Sequence, residues 1–210
     1  MKNTDIKTIA FDMGGVIFNL NREQAVNRFK ELGLEDADQW LDDYTQKGIF
    51  GLVESGKMSA LEFVSELSRL VGRHLTWKEC QSGWTSYFED MPQRNLDTLL
   101  QLKAEGYRLL LVTNTNPFMM SWVKSNEFDK NGGHGIDYYV DKIYASYECR
   151  HMKPSEEYFH HVLEQEGMPA ENILFVDDSP RNVAAAKKMG FHTYQPANGA
   201  DWTQEIRKYL

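Results

Sequence analysis

The chain has 210 residues, 41% hydrophobic and 26% charged, a balance that makes one or two globular domains and excludes disordered and fibrous classes. Thirty-one acidic residues against 23 basic ones give a formal net charge of −8, which excludes nonspecific attraction to nucleic acid or to an anionic membrane surface. The apolar runs, such as residues 109–112, fall far short of the roughly 20 residues of a membrane span; Lys2, Asp5 and Lys7 break any leader-like amino terminus; and Cys80 and Cys149 match neither a disulfide framework nor a zinc spacing, so a cytoplasmic protein is expected.

Residues 7–12 (KTIAFD) read as a buried strand that runs into a tight turn at Gly14-Gly15. From 17 to 91 the pattern is helical and aromatic-rich. One helix is predicted over 22–32, stopping near Gly33, and further helical stretches surround Trp40 and Trp84. Another helix starts at Ser59, where Ser59 and Glu62 have the spacing of a capping box and Leu61, Val64, Leu67 and Leu70 form an apolar stripe. From 93 onward strands and helices alternate: helix 93–105, strand 109–113, a helix holding Met119, Met120 and Trp122, a glycine-rich loop at 131–135, and strand 142–145. Helix 155–166, strand 173–177, helix 181–189, strand 192–194 and a last helix from about 201 complete the series. Alternation of this kind is the signature of βαβ units, and the continuously apolar runs 109–112 and 173–176 suit parallel strands covered on both faces. The predicted fold is therefore an α/β, doubly wound parallel sheet in two pieces, 1–16 and 92–210, with an all-helical insert, 17–91. An insert leaving beside a strand's carboxyl end sits above the ligand crevice of such a sheet and reads as a lid, with hinges near Val16-Ile17 and Met91-Pro92.

The positions able to carry chemistry cluster at that edge. Asp12, Thr113 and Asp177-Asp178 end apolar strands, and Lys153-Pro154 precedes a predicted helix, with Pro154 suited to its first position. Adjacent carboxylates at a buried strand end repel one another, and a cation relieves them; with Asp12 they make a hard oxygen site suited to Mg²⁺. The tryptophans and Tyr138-Tyr139 read as packing residues, His160-His161 as surface, and His151 and Cys149 are without an assigned role.

The ordered set Phe11-Asp12-Met13-Gly14-Gly15-Val16-Ile17, Val112-Thr113-Asn114-Thr115-Asn116, Lys153-Pro154 and Phe175-Val176-Asp177-Asp178-Ser179 resembles the four motifs of the haloacid dehalogenase-like hydrolase superfamily. The helical insert resembles its type-1 cap. Within the superfamily the chain is similar to phosphatases acting on α-D-glucose 1-phosphate, which share the Asn-Thr-Asn second motif and a cap turn like Glu54-Ser55-Gly56. The resemblance implies a strand order of 3-2-1-4-5 and a Mg²⁺-dependent phosphatase of a small phosphorylated metabolite, such as a hexose 1-phosphate. It implies that Asp12 is the nucleophile, forming an aspartyl-phosphate; that Thr113, the Asn114 backbone and Lys153 hold the phosphate; and that Asp12, the Gly14 carbonyl and Asp178 hold the metal, with Asp177 a ligand or an orienter. Most phosphatases of the superfamily carry an acid-base aspartate where this chain has Gly14, so turnover should favour good leaving groups. Gly14 also keeps open a catalytically weak phosphate-binding or protein-interaction module, and argues against a phosphomutase. A dehalogenase is a further alternative, disfavoured because Asp177-Asp178 would lack a compensating metal. Monomer and homodimer stay open.

Overall fold

In the computed structural model, which describes residues 6–210, a five-stranded parallel sheet forms the centre. Lys2 and Asp5 lie outside the described residues. The strands are β1 (Thr8–Phe11), β2 (Arg108–Thr113), β3 (Lys142–Ala145), β4 (Ile173–Val176) and β5 (His192–Tyr194), and their order across the sheet is 3-2-1-4-5. This is the predicted doubly wound fold. Central β1 pairs with β2 on one side and β4 on the other, Phe11 lying opposite Leu111 and Val176. The chain therefore changes direction across the sheet at β1, where the carboxyl-edge crevice of such a fold opens.

Alternation along the strands divides the core into two layers. Ile9, Phe11, Leu109, Leu111, Leu174 and Val176 join one apolar cluster. Ala10, Leu110, Val112, Ile173 and Phe175 face the other, where Tyr158, Phe159 and Val162 cover them. Both layers are buried, which is why these runs are continuously apolar in sequence.

Between β1 and the helix Gln93–Ala104 the chain forms only helices: α1 (Arg22–Glu31), α2 (Ala37–Trp40), α3 (Gly48–Glu54), α4 (Ala60–Val71) and α5 (Trp77–Thr85). Gln93–Ala104 is α6, followed after β2 by α7 (Pro117–Val123), after β3 by α8 (Ser146–Cys149) and α9 (Glu156–Glu166), and after β4 by α10 (Pro180–Lys188). No helix among the described residues is long and apolar enough to cross a membrane. The inserted helices pack around a knot of rings, with Phe50 meeting Phe29 at 4.9 Å, Phe63 at 5.1 Å and Trp84 at 5.4 Å between centroids. They rest on α7 through Phe118, which touches Trp77 at 4.3 Å and Phe63 at 5.4 Å.

Several expectations need correction. The capping box at Ser59 and Glu62 is present, but α4 buries Phe63 and Leu67, while Leu61 is 77% exposed; Phe63 wins because it fills the gap between Phe50 and Phe118. Ser155 caps α9, so Pro154 lies outside that helix and Lys153 is not placed at its first turn. The expected last helix is reduced to a single 3₁₀ stretch, Glu205–Lys208. Tyr138 is exposed and stacked on His134, whereas Tyr139 is buried. Val16 and Ile17 are poor hinges. Their carbonyls accept from the Asn95 amide at 3.3 and 3.0 Å, and Val16 also from Trp202 Nε1 at 2.7 Å. The two crossing segments are instead zipped together further out, where Asn19 N donates to the Asp90 carbonyl at 2.8 Å and Glu89 N to the Asn19 carbonyl at 2.9 Å.

Candidate active site

Asp12 follows β1 directly, its amide donating to the Val176 carbonyl at 2.8 Å, so the sheet itself positions it. The Met13 amide donates to Asp12 Oδ1 at 2.7 Å and fixes the carboxylate's orientation. The chain then turns tightly, with Gly15 N bonded to the Phe18 carbonyl and Ile17 N to the Met13 carbonyl, both at 2.8 Å. Gly15 is required twice over. Its φ is +78°, and a Cβ there would lie 2.4 Å from Asp178 Oδ2. At Gly14 a side chain would project into Leu20, whose Cδ1 would stand 2.6 Å away.

Lys153 reaches the same point from the far side of the cleft. Its fully buried Nζ lies 2.9 Å from Asp12 Oδ1 and 2.6 Å from Asp177 Oδ2. Burial works against the ammonium, but Asp12 and Asp177 outweigh it and hold its pKa above the ordinary lysine value. Asn114 grips the lysine's backbone, receiving Lys153 N at 2.8 Å and donating to the Lys153 carbonyl at 2.9 Å. Thr113 is buried at the end of β2, lining the same cavity.

The adjacent acids divide their work. Asp177 is fully buried; its Oδ1 accepts from Ser179 N at 2.8 Å and from Asn182 Nδ2 at 3.1 Å, and its Oδ2 accepts from Lys153. Asp178 lines the cavity. Asp12, Asp177 and Asp178 each offer a carboxylate oxygen, and the three atoms lie within 4.8 Å of one another. Burial pushes Asp12 up to about 6, with Lys153 opposing and Asp177 reinforcing the rise. Burial, then the charges of Asp12 and Asp177, push Asp178 up to about 7. One ammonium facing three carboxylates leaves excess negative charge, so the cluster fits a divalent cation that prefers hard oxygen donors.

All the residues expected at the site converge here, Asp177 standing behind Lys153 rather than on the open wall. His151 is exposed and outside the cavity. The inserted helices supply the opposite wall, with Tyr44, Gln46, Glu54, Trp84 and Tyr87. Trp84 thus lines the cavity as well as packing, and its Nε1 is buried without a hydrogen-bond partner among the described residues, as is Thr115 Oγ1. Sequence reasoning missed Asn182, Asn116 and the cavity-facing role of Glu54. Asn116 carries two signals: its Oδ1 caps α7, accepting from Phe118 N and Met119 N at 3.1 Å, and its side chain hydrogen-bonds Glu54.

A doubly wound sheet with an acidic cluster and a buried lysine at its carboxyl edge, roofed by inserted helices, defines an α/β enzyme site whose carboxylates suit a divalent cation. The profile of the haloacid dehalogenase-like hydrolases matches residues 6–190, and the chain belongs to that family. It is 45% identical over 205 residues to a D-ribitol-5-phosphate phosphatase of Bacteroides thetaiotaomicron, with 98% of each chain covered. Among solved structures it resembles a predicted HAD-like family hydrolase from Porphyromonas gingivalis (39% identity, TM-score 0.92, 98% of each chain). It also resembles a HAD family enzyme of Bacteroides thetaiotaomicron in complex with magnesium and inorganic phosphate (33% identity, TM-score 0.85, 96% of this chain and 99% of that one).

Proposed function

We propose that the protein is a Mg²⁺-dependent phosphatase of small phosphorylated sugars or polyols, working through a phosphorylated Asp12. The observation that carries this reading is the Lys153 ammonium held between Asp12 and Asp177, 2.9 and 2.6 Å away. A carboxylate nucleophile facing a phosphate dianion needs a fixed positive charge beside it. Asp12, Asp178 and the Gly14 carbonyl would hold the metal. When bound, Mg²⁺ supplies charge that offsets the repulsion between phosphate and carboxylates.

This chain's own groups do the rest. Asp12, oriented by the Met13 amide, attacks phosphorus. Thr113 Oγ1 and the Asn114 amide receive phosphate oxygens, and Lys153 neutralises charge that builds on them. Asp177, tied to Ser179 and Asn182, keeps the lysine in place and is an orienter in this reading rather than a ligand. Residues 17–91 act as the cap over the core formed by 1–16 and 92–210, and shield the phosphate from bulk solvent.

The relative named for D-ribitol 5-phosphate makes that polyol ester the first substrate to test here. The similarity to glucose-1-phosphate phosphatases makes hexose 1-phosphates the second. A screen of phosphate release from polyol and sugar phosphates with Mg²⁺, beside an Asp12→Asn control, tests the reading. Release that is unaffected by Asp12→Asn would sink it.

A further inference from the structure

The phosphatase reading leaves one proton unassigned, and the following inference rests on that reading. Breaking the bond between phosphorus and an alcohol's oxygen produces an alkoxide that needs a proton. Position 14, where most phosphatases of the superfamily keep the acid for this step, is a glycine, and Leu20 fills the space a side chain there would enter.

We infer that Glu54, delivered by the inserted helices, is the acid and base of this reaction. Glu54 is the last residue of α3, is 6% exposed, and lines the same cavity as Asp12, Lys153 and Asp178. Two bonds fix it to the core. Its carbonyl accepts from Ser146 Oγ at 2.7 Å. Its carboxyl is hydrogen-bonded by Asn116, whose Oδ1 is committed to the α7 amides, so the side-chain NH₂ is the end that meets Glu54. The turn after it is pressed on the core as well: Gly56 has φ +68°, and a Cβ there would lie 2.3 Å from the Tyr147 carbonyl oxygen. The acid is therefore in place only when the inserted segment is seated on the core.

Burial pushes this carboxyl up to about 8, against the Asn116 hydrogen bond and with the Asp12 charge adding to the rise, so it holds a proton at neutral pH. The step balances. As Asp12 Oδ bonds to phosphorus, the ester P–O bond breaks and the departing oxygen takes the Glu54 proton, leaving alcohol and a Glu54 carboxylate. Water then attacks phosphorus from the side the alcohol left, giving its proton to Glu54 while the Asp12–phosphorus bond breaks. Alcohol and inorganic phosphate are released and Glu54 is reprotonated. In-line displacement puts leaving oxygen and incoming water in the same apical position, so one group facing it serves both halves.

The experiment compares wild type, Glu54→Gln and Glu54→Asp with Mg²⁺ on two probes, D-ribitol 5-phosphate and p-nitrophenyl phosphate, whose phenolate leaves without a proton. Glutamine keeps the size and the Asn116 contact but has no proton to give. Because kcat/KM covers the steps through departure of the leaving group, it reads the acid half alone. Expected is a loss in kcat/KM of about 10²–10⁴-fold on D-ribitol 5-phosphate and less than about tenfold on p-nitrophenyl phosphate, with partial recovery in Glu54→Asp. The kcat value falls on both probes through the shared hydrolysis of the Asp12 phosphate. In wild type, kcat/KM for the polyol ester alone should fall on the alkaline side as Glu54 ionises. Asp12, Asp43, Tyr44, Tyr87, Lys153 and Asp178 line the cavity with it and face both probes alike. Equal losses in kcat/KM on the two probes, or no such loss on the polyol ester, overturn the assignment of Glu54. If Glu54→Gln fails to fold, a wild-type profile without the probe-specific alkaline limb overturns it instead. Wild type inactive on both probes would overturn the phosphatase reading itself, and this assignment with it.

Discussion

Asn114 and Lys153 hold each other by reciprocal hydrogen bonds, 39 residues apart in sequence: Lys153 N donates to Asn114 Oδ1 at 2.8 Å, and Asn114 Nδ2 donates to the Lys153 carbonyl at 2.9 Å. The pair ties the loop after β2 to the loop before α9. Through it, the backbone proposed to receive phosphate and the ammonium proposed to neutralise it are tied to one another.

Asn114→Ala cuts both bonds while keeping its own backbone amide. Each bond contributes about 0.5–1.5 kcal/mol, and displacement of a catalytic group by about 1 Å costs on the order of 10²-fold in rate. The expected outcome is kcat lowered about 10²-fold with only a few degrees lost in Tm. Unchanged turnover would mean that Lys153 is positioned by Asp12 and Asp177 alone.

Lys153→Met removes the cation from between two buried carboxylates. Breaking one partner of a buried pair costs about 3–5 kcal/mol, so the metal-free variant should unfold at clearly lower denaturant than wild type. It should also lose turnover. Equal stability of the two proteins would show that the carboxylates shed their charge rather than depend on the lysine.

Much of this pair's setting was legible in the sequence, and the reasons are local. Apolar runs 109–112 and 173–176 are buried on both faces and end at the functional residues, so strand, edge and site came together from one signal. The split between Asp177 and Asp178 follows from side chains alternating across a strand end, one toward Lys153 and Asn182, the other toward the cavity. Burial set by tertiary packing was not legible. Nothing in Leu52-Val53-Glu54-Ser55 marks its glutamate as enclosed, because Asn116 and Ser146, which enclose it, are more than 60 residues away in sequence. Likewise α4 has two apolar stripes, and only contact with Phe50 and Phe118 decides for Phe63 over Leu61.

Gly15→Ala separates contact from backbone strain when compared with Gly72→Ala. Both glycines have positive φ, +78° and +69°, but only at Gly15 would a Cβ strike Asp178. Each alanine should cost roughly 1–2 kcal/mol for the left-handed conformation. Gly15→Ala should in addition abolish the rise in Tm that Mg²⁺ gives wild type, and Gly72→Ala should keep it. A preserved Mg²⁺ response in Gly15→Ala would place the metal away from Asp178.

Glu54 predicts a pH dependence of stability in metal-free protein. Its folded carboxyl keeps a proton to about 8 against an ordinary 4.5, so the folded state binds more protons between those values. Stability from this group is complete below about 4.5 and is lost as pH rises toward about 8. Glu79 acts in a separate window: its pKa, lowered to about 2 by the Thr76 amide and by Arg73, removes stability only on acidification. Denaturant midpoints across pH 5 to 8 should therefore fall more steeply in wild type than in Glu54→Gln. Parallel curves would contradict the buried, protonated Glu54.

Closure should bend the zipped crossing segments near Asn19 and Glu89-Asp90 and leave Val16 and Ile17 fixed, since Asn95 and Trp202 bind their carbonyls. Crystals with and without a phosphate analogue should differ by rotation of the inserted helices about those segments, with the Phe118 contacts to Trp77 and Phe63 altered. An inserted segment that does not move between the two would assign its aromatic seat on α7 to permanent structure.

The central claim is that Asp12 takes the phosphoryl group with Mg²⁺ present. Its most direct test is phosphate release from D-ribitol 5-phosphate by wild type and Asp12→Asn, each with Mg²⁺ and with a chelator. The account predicts release only for wild type with Mg²⁺, restored when the metal is returned after chelation. Turnover by Asp12→Asn at the wild-type rate, or release indifferent to the chelator, would contradict it.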